Sequence, residues 1–303
     1  MVFASIFAGL FPSFLMVVLG RFVRGRLSAN AWQGLDKLNF EVLFPALLFT
    51  AAASRPIDPA KVLTIGPAVW LIRLVGRIAG YGARRFGPES FLDFAGSWQC
   101  AWRFNTAMGF VAVATLTKAD AAIMAVVAGL AVPMANVFAV SALGRGGRLG
   151  FSGTVRRVAL NPFLLASLSG VLVGLSGIVV PALFLAPLQL LAQAAIPVAL
   201  ISVGATMNWA ALARLNLFST FITATKLILL PLVTWGAALA LGMEGATPAV
   251  LTVFAALPTA SAAHVLAGGF GANRELSATL VAQSTLLAAV TLPLWIVLIE
   301  LSF

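Results

Sequence analysis

Charge is scarce in this chain. Only 28 of 303 residues are charged, 19 Lys and Arg against 9 Asp and Glu. That is 9%, where a soluble globular domain carries roughly a quarter. So few charges cannot cover a water-facing surface. A soluble enzyme, a disordered chain and a secreted disulfide scaffold are excluded. Cysteine is scarcer still: Cys100 stands alone, which excludes disulfides within the chain and Cys-based zinc sites. Catalytic motifs are missing as well. There is no HExxH, no GxSxG and no spaced carboxylate pair, so the chain is not expected to be an enzyme. No ATP-binding motif occurs, so any pumping energy has to come from gradients, the membrane potential or a separate partner. No cofactor and no metal is expected, with a proton or sodium gradient left open as the coupling source.

Apolar residues fill the space: 61% of the chain, with mean hydropathy +1.04. A spanning helix needs about 20 mostly apolar residues. Ten stretches qualify: 3–20, 33–53, 62–80, 93–116, 121–143, 161–180, 187–207, 216–240, 247–267 and 277–301. Turn chemistry and charge separate them, as at Ser54-Arg55-Pro56 and Arg84-Arg85-Phe86-Gly87-Pro88. The stretches are continuously apolar rather than alternating, which argues against a β-barrel. The expected class is an all-α polytopic membrane protein. The first stretch is not expected to be a cleaved signal peptide, because the basic Arg21, Arg24 and Arg26 follow it rather than a small-residue cleavage site.

Orientation follows from basic loops facing the cytoplasm. Loops after spans one, three, five, seven and nine carry eleven: Arg21, Arg24, Arg26, Arg84, Arg85, Arg145, Arg148, Arg156, Arg157, Arg214 and Arg274. The other loops carry three, Arg55, Lys61 and Lys118. Both termini are therefore expected outside the cytoplasm, in a multi-pass protein of the cell inner (plasma) membrane. The net charge of +10 is a topology signal, and nucleic acid is not an expected partner.

Ten spans divide as five plus five: an N-terminal repeat over 1–143, a basic linker over 144–160 and a C-terminal repeat over 161–303. In span two Leu38 precedes Pro45 by seven residues, and in span seven Leu190 precedes Pro197 by seven. Phe104-Asn105-Thr106-Ala107 in span four corresponds to Leu257-Pro258-Thr259-Ala260 in span nine. Five is odd, so the second half enters the membrane from the opposite side. The result is two inverted five-helix repeats, an arrangement of secondary transporters. Such transporters bind at the midplane, where paired helices are interrupted and the freed backbone groups face protein, water or substrate. The candidate site residues are Asn105, Thr106 and Gly109 in span four, and Pro258, Thr259 and Ser261 in span nine. An ordinary proline kink backed by Thr and Ser is the competing reading.

Several phrases resemble one family. LNFEVLFPALLFT (38–50), Asn161-Pro162, AAIPVALISVGATM (194–207), LPTASAAHVLAGGFG (257–271) and TLPLWIVL (291–298) are similar to the auxin efflux carrier family. That family includes plant PIN auxin carriers and bacterial malonate or malate permeases. The resemblance covers nearly the whole chain. It implies ten helices in two inverted repeats, with broken helices four and nine crossing as in the sodium/proton-antiporter fold. It also implies a scaffold domain and a transport domain, each formed from both repeats, and Asn105 as a substrate contact beside Pro258. The sequence departs from the family twice. Relatives often carry a proline near the position of Asn105, whereas none lies between Pro88 and Pro133 here; a break must then come from Asn105, Thr106 and Gly109. His264 stands where an aromatic such as Tyr is common.

Eight charges fall inside spans: Asp36, Lys37, Glu41, Arg73, Arg77, Asp93, Arg103 and Lys226. Each needs a reason, because a charge at the centre of a helix costs about 2.5–3.5 kcal/mol on insertion scales. Asp36, Lys37, Arg77 and Asp93 lie near cytoplasmic ends, where side chains snorkel. Arg73, one turn deeper than Arg77, is expected to snorkel or to form a structural pair. Arg103 sits roughly ten residues, about 15 Å, into span four. Its guanidinium suits a substrate carboxylate, or it stabilises loose carbonyls or pairs with Glu41. Lys226 pairs with Glu41 or serves as a movable charge. His264 is a hydrogen-bonded structural histidine or a group titrating near neutral pH. Gln193 and Gln283 are intramembrane amides suited to helix packing, with Gln283 kept as a supporting residue of the site. Gly268-Gly269-Phe270-Gly271 reads as a loop, since no strand precedes it.

The deep set of Glu41, Arg73, Arg103 and Lys226 leaves a positive excess, which favours an anionic substrate. The absence of an Asp pair inside a span disfavours sodium/proton antiport. The expected function is a secondary active transporter of a small organic anion, a mono- or dicarboxylate, by alternating access. A passive anion channel or a uniporter of auxin-like aromatic acids is the alternative. The expected partners are the anion and the lipid bilayer, with a homodimer allowed.

Overall fold

The computed structural model describes residues 2–53, 59–117, 120–144, 160, 162–260 and 262–303. Among them every regular element is a helix, as the apolar composition requires. In lipid a helix satisfies its backbone groups internally.

The chain opens with α1 (Val2–Val23). Then α2 (Ala29–Leu38) and α3 (Phe44–Ala53) are joined by a wide π turn at Asn39–Leu43. Next come α4 (Pro59–Tyr81), α5 (Phe91–Trp98), α6 (Thr106–Ala114) and α7 (Ala121–Leu143). The second half holds α8 (Pro162–Ser176) and α9 (Ala182–Thr206). After them α10 (Leu217–Ala224) and α11 (Leu230–Ala240) are joined by a π turn at Thr225–Leu229. The chain ends with α12 (Ala246–Ala256), α13 (Ala262–Gly269) and α14 (Arg274–Ser302). Four described stretches are long and apolar enough to cross a membrane: Leu63–Phe86, Ala182–Thr206, Leu217–Ala240 and Arg274–Ser302.

Helix starts follow local chemistry. Ser28, Ser90 and Asn273 each accept a backbone N–H of the first turn of α2, α5 and α14. Asn216 and Ser219 form a reciprocal capping box at α10. Asn161, of the Asn161-Pro162 phrase, lies outside the described residues. So do Arg55, Lys118 and the basic linker residues Arg145, Arg148, Arg156 and Arg157. The side chain of Lys61 lies outside them as well.

The outer surface is apolar. Phe22, Leu63, Val179 and Leu183 are each more than three-quarters exposed, which suits lipid as the solvent and not water. Inside, small residues let backbones approach. Helix α1 meets α9 at Gly20 and Gly204, where the Gly20 Cβ position lies 2.9 Å from the Gly204 Cα. Helix α9 also packs on α3 and α6. The π turn of Asn39–Leu43 is tied to α9 by Asn39, whose Nδ2 donates to the Ala195 carbonyl at 3.0 Å.

Buried apolar side chains form two clusters. One gathers Phe104, Met124, Phe254 and Leu257 with residues of α3, α4, α6, α7 and α14. The other gathers Phe94, Trp98, Trp102, Phe218 and Ile222 with Ala263 and Ala267. Trp102 belongs to one and Phe104 to the other. The non-helical stretch between α5 and α6 therefore runs along the boundary between them.

Candidate functional site

Helix α5 tightens into a 3₁₀ turn at Gln99–Ala101 and then leaves the helical path. Trp102 has φ −127 and ψ 5, and Asn105 has φ −78 and ψ 91. The absent proline does not prevent a break. Asn105 acts as the N-cap of α6, its side-chain oxygen accepting the Met108 N–H at 3.4 Å. Thr106 is the first helical residue, and both are buried. Gly109 plays a different part from the one expected. It lies inside α6, and a Cβ there would stand 2.8 Å from Leu257 Cδ1 and overlap the Met124 methyl. It permits close packing under the crossing and does not break the helix.

The second interruption follows from Pro258. The residue before a proline is driven from helical to extended backbone, and Leu257 has φ −65 and ψ 145. Residues Leu257–Ala260 are non-helical, and α13 resumes at Ala262. The expected contact Ser261 lies outside the described residues.

The two interruptions touch. The Asn105 N–H donates to the Pro258 carbonyl at 2.8 Å. The Thr259 hydroxyl donates to the Cys100 carbonyl at 2.8 Å, and the Thr259 N–H donates to Ser284 Oγ at 3.2 Å. Gln99 Nε2 reaches across to the Ala263 carbonyl at 3.1 Å. The Phe104 and Phe254 rings lie 4.2 Å apart between centroids. Backbone groups freed by the breaks are thus satisfied across the crossing, as a dry setting demands. Of these residues Gln99, Cys100, Phe104 and Ser284 are not among the candidate site residues of the sequence. Gln99 and Ser284 carry a sequence signal, a polar side chain within an apolar stretch. Phe104 carries none, since nothing marks one phenylalanine among 22.

Three cations surround this crossing. Arg73 on α4 is 1% exposed, Arg103 6% and Lys226 0%. Arg73 Nη1 donates to the Trp102 carbonyl at 2.7 Å, and its guanidinium lies 5.2 Å from the Phe104 centroid and 5.7 Å from that of Phe254. It does not snorkel. Lys226 sits in the π turn of Thr225–Leu229, its Nζ 2.8 Å from the Phe104 centroid. Arg73 lies within electrostatic range of both Arg103 and Lys226, so it repels each of them.

Glu41 does not join them. It is exposed and pairs with Lys37 at 3.9 Å, one turn away on its own helix; the expected pairing with Lys226 is not formed. The other expected interfacial groups are at the periphery. Asp36 is exposed and accepts the Ser202 hydroxyl. Asp93 accepts the Asn273 N–H at 2.6 Å, and Arg77 lies over the Trp98 and Phe138 rings. No Asp or Glu is buried among the described residues. His264 is half-buried on α13. Gln283 is buried and donates to the Ala211 carbonyl at 3.0 Å, a packing bond, whereas Gln193 is exposed.

Two interrupted apolar helices bonded through their own backbones, with buried basic side chains around them, suit the handling of a small anion inside a membrane. Comparison with known proteins adds a family. Residues 151–296 match the family described as membrane transport protein. Over that stretch the chain is similar to membrane transport proteins. It is 26% identical over 291 residues to an "uncharacterized transporter" of Methanothermobacter thermautotrophicus, covering 94% of this chain and 95% of that protein. It is 25% identical over 296 residues to a "putative malonate transporter" of Rhizobium meliloti, covering 92% and 91%. These matches bear out the resemblance seen in the sequence phrases. With four described helices able to cross a bilayer, the chain is a multi-pass membrane protein.

Proposed function

We propose that the chain is a secondary transporter of a small organic anion, a mono- or dicarboxylate, in the cytoplasmic membrane. The observation that carries this reading is the positive charge buried at the crossing: Arg73 and Lys226 lie there with no buried carboxylate among the described residues, and Lys226 Nζ has no hydrogen-bond partner among them. A buried cation without a counter-charge is costly, so an anion that enters the site relieves that cost. A cation would add to it. The name of the Rhizobium meliloti relative supports a dicarboxylate. In this reading ten spans form two inverted repeats, over 1–143 and 161–303, with both termini outside. Arg103 neutralises a carboxylate, while Asn105, Thr106, Thr259 and Ser261 hydrogen-bond it beside Pro258 and Gly109. One domain rocks against the other to alternate access, driven by an ion gradient or the membrane potential.

The test is uptake into proteoliposomes of malonate, malate and indole-3-acetate. A carrier gives saturable uptake of at least one, and Arg103→Ala lowers it. Flux linear in concentration overturns the carrier reading in favour of a channel. Stimulation by cations with no anion transported overturns the charge argument. Uptake by Arg103→Ala equal to wild type removes Arg103 from the site.

A further inference from the structure

Two of the three buried cations stand at matched places. Arg73 lies 32 residues before Asn105, and Lys226 lies 32 before Pro258; Asn105 and Pro258 are the residues whose backbones meet at the crossing. Their surroundings differ. Arg73 donates to the Trp102 carbonyl, just past the 3₁₀ turn that ends α5. Carbonyls at a helix C-terminus carry partial negative charge, so the Arg73 guanidinium is engaged in holding the first interruption. Lys226 has no such duty. Its ammonium is fully buried and its Nζ has no hydrogen-bond acceptor among the described residues. Its contact is the face of Phe104.

An ammonium carries three donors. A ring face attracts the charge without accepting those three hydrogen bonds. The backbone around Lys226 is unusual too. The π turn of Thr225–Leu229 departs from regular helical hydrogen bonding, and the Trp295 indole N–H donates to the Leu227 carbonyl there at 2.8 Å. Such turns inside helices are frequent at functional sites. Here the side chain is aimed at the residue preceding Asn105.

We propose that Lys226 is the residue that receives a carboxylate of the transported anion, its ammonium passing from the Phe104 ring to the carboxylate oxygens. Arg73 is a positioning residue that fixes the first break. Phe104 is the resting partner of Lys226 in the empty protein. The ligand class is a small carboxylate, and the assignment rests on the organic-anion reading above.

The test is calorimetric binding to the purified full-length protein, with malonate, malate, acetate and indole-3-acetate as probes. Each titration is paired with the melting temperature of the ligand-free protein. Wild type binds at least one probe. Lys226→Met weakens that binding by about 30-fold or more. Its ligand-free melting temperature stays at or above the wild-type value, because an unpaired buried charge has been replaced by an apolar chain of similar length. Lys226→Arg keeps the charge and retains binding within about 10-fold, since guanidinium also pairs with carboxylate. An affinity of Lys226→Met within twofold of wild type overturns the assignment and leaves the organic-anion reading standing. So does a Lys226→Met protein that melts lower or fails to fold, which would make Lys226 a structural residue. Wild type binding none of the four probes overturns the organic-anion reading and this inference with it.

Discussion

The crossing of α1 and α9 gives the sharpest test of the packing. An alanine methyl at position 204 would overlap the Val17 carbonyl oxygen and stand 2.6 Å from its carbonyl carbon. Carbon atoms in contact sit about 3.5–4.0 Å apart, so the carbon alone demands that the helices part by about 1 Å. The obstructing atoms are backbone, and no rotamer change removes them. A gap of about 0.5–1 Å forfeits a quarter to a half of each contact it opens. Overpacking of this kind costs about 1–3 kcal/mol, and the fixed obstruction puts Gly204→Ala at the upper end. With an unfolding entropy of about 2.1 cal/mol/K per residue, about 3 kcal/mol corresponds to a fall of about 5 °C in Tm for a chain of this length. The assay is intrinsic-fluorescence melting of detergent-purified protein, with Gly236→Ala as the control. A methyl at 236, within α11, meets no atom inside 4 Å, and Gly to Ala in a helix gains about 0.5–1 kcal/mol, so the control melts about 1 °C higher. Gly204→Ala melting within 1 °C of wild type, on the order of the control's shift, would refute the close crossing.

Asn105→Ala removes the cap of α6 while leaving the backbone bond to Pro258 possible. A lost N-cap costs about 1 kcal/mol, so a Tm drop of about 1–3 °C is expected, with Asn105→Asp restoring most of it in the same melting assay. Cys100 is the only thiol and is fully buried. Maleimide labelling of the folded protein should therefore be slow, becoming complete on unfolding in SDS, and mass spectrometry reads both.

Much of the fold was legible because lipid narrows the choices. The apolar stretches read as spans are helical over most of their described residues, with interruptions at 102–105 and 257–260, and the starts of α2, α5, α10 and α14 follow from Ser28, Ser90, Asn216 and Asn273. The interruption before α13 was legible too, since proline acts locally on Leu257. The two π turns were not. Their bonds are settled by neighbours distant in sequence, Ala195 for Asn39 and Trp295 for Leu227, and neither partner can be read from the turn itself. The break before α6 lay between these cases. Asn105 announces a cap, but its backbone N–H needed the Pro258 carbonyl at 2.8 Å to replace the helical bond it gives up.

The charges of the site show where a sequence pattern stops being informative. Position along a span sets the depth of a side chain, and on depth alone Glu41, Arg73, Arg103 and Lys226 form one set. Which way each points depends on azimuth, at about 100° per helical residue. Asn39 is buried against α9. Glu41, two residues later in the same π turn, faces away from it and is exposed beside Lys37. Its removal from the set sharpens the functional argument. A buried Glu41 would have cancelled one of the three cations and left the sign of the substrate less constrained. With the carboxylate outside, Arg73 and Lys226 repel each other and face the Trp102 carbonyl and the Phe104 and Phe254 rings, none of which carries a full negative charge. On the proposed organic-anion reading, an arriving carboxylate supplies the charge that these neutral partners lack.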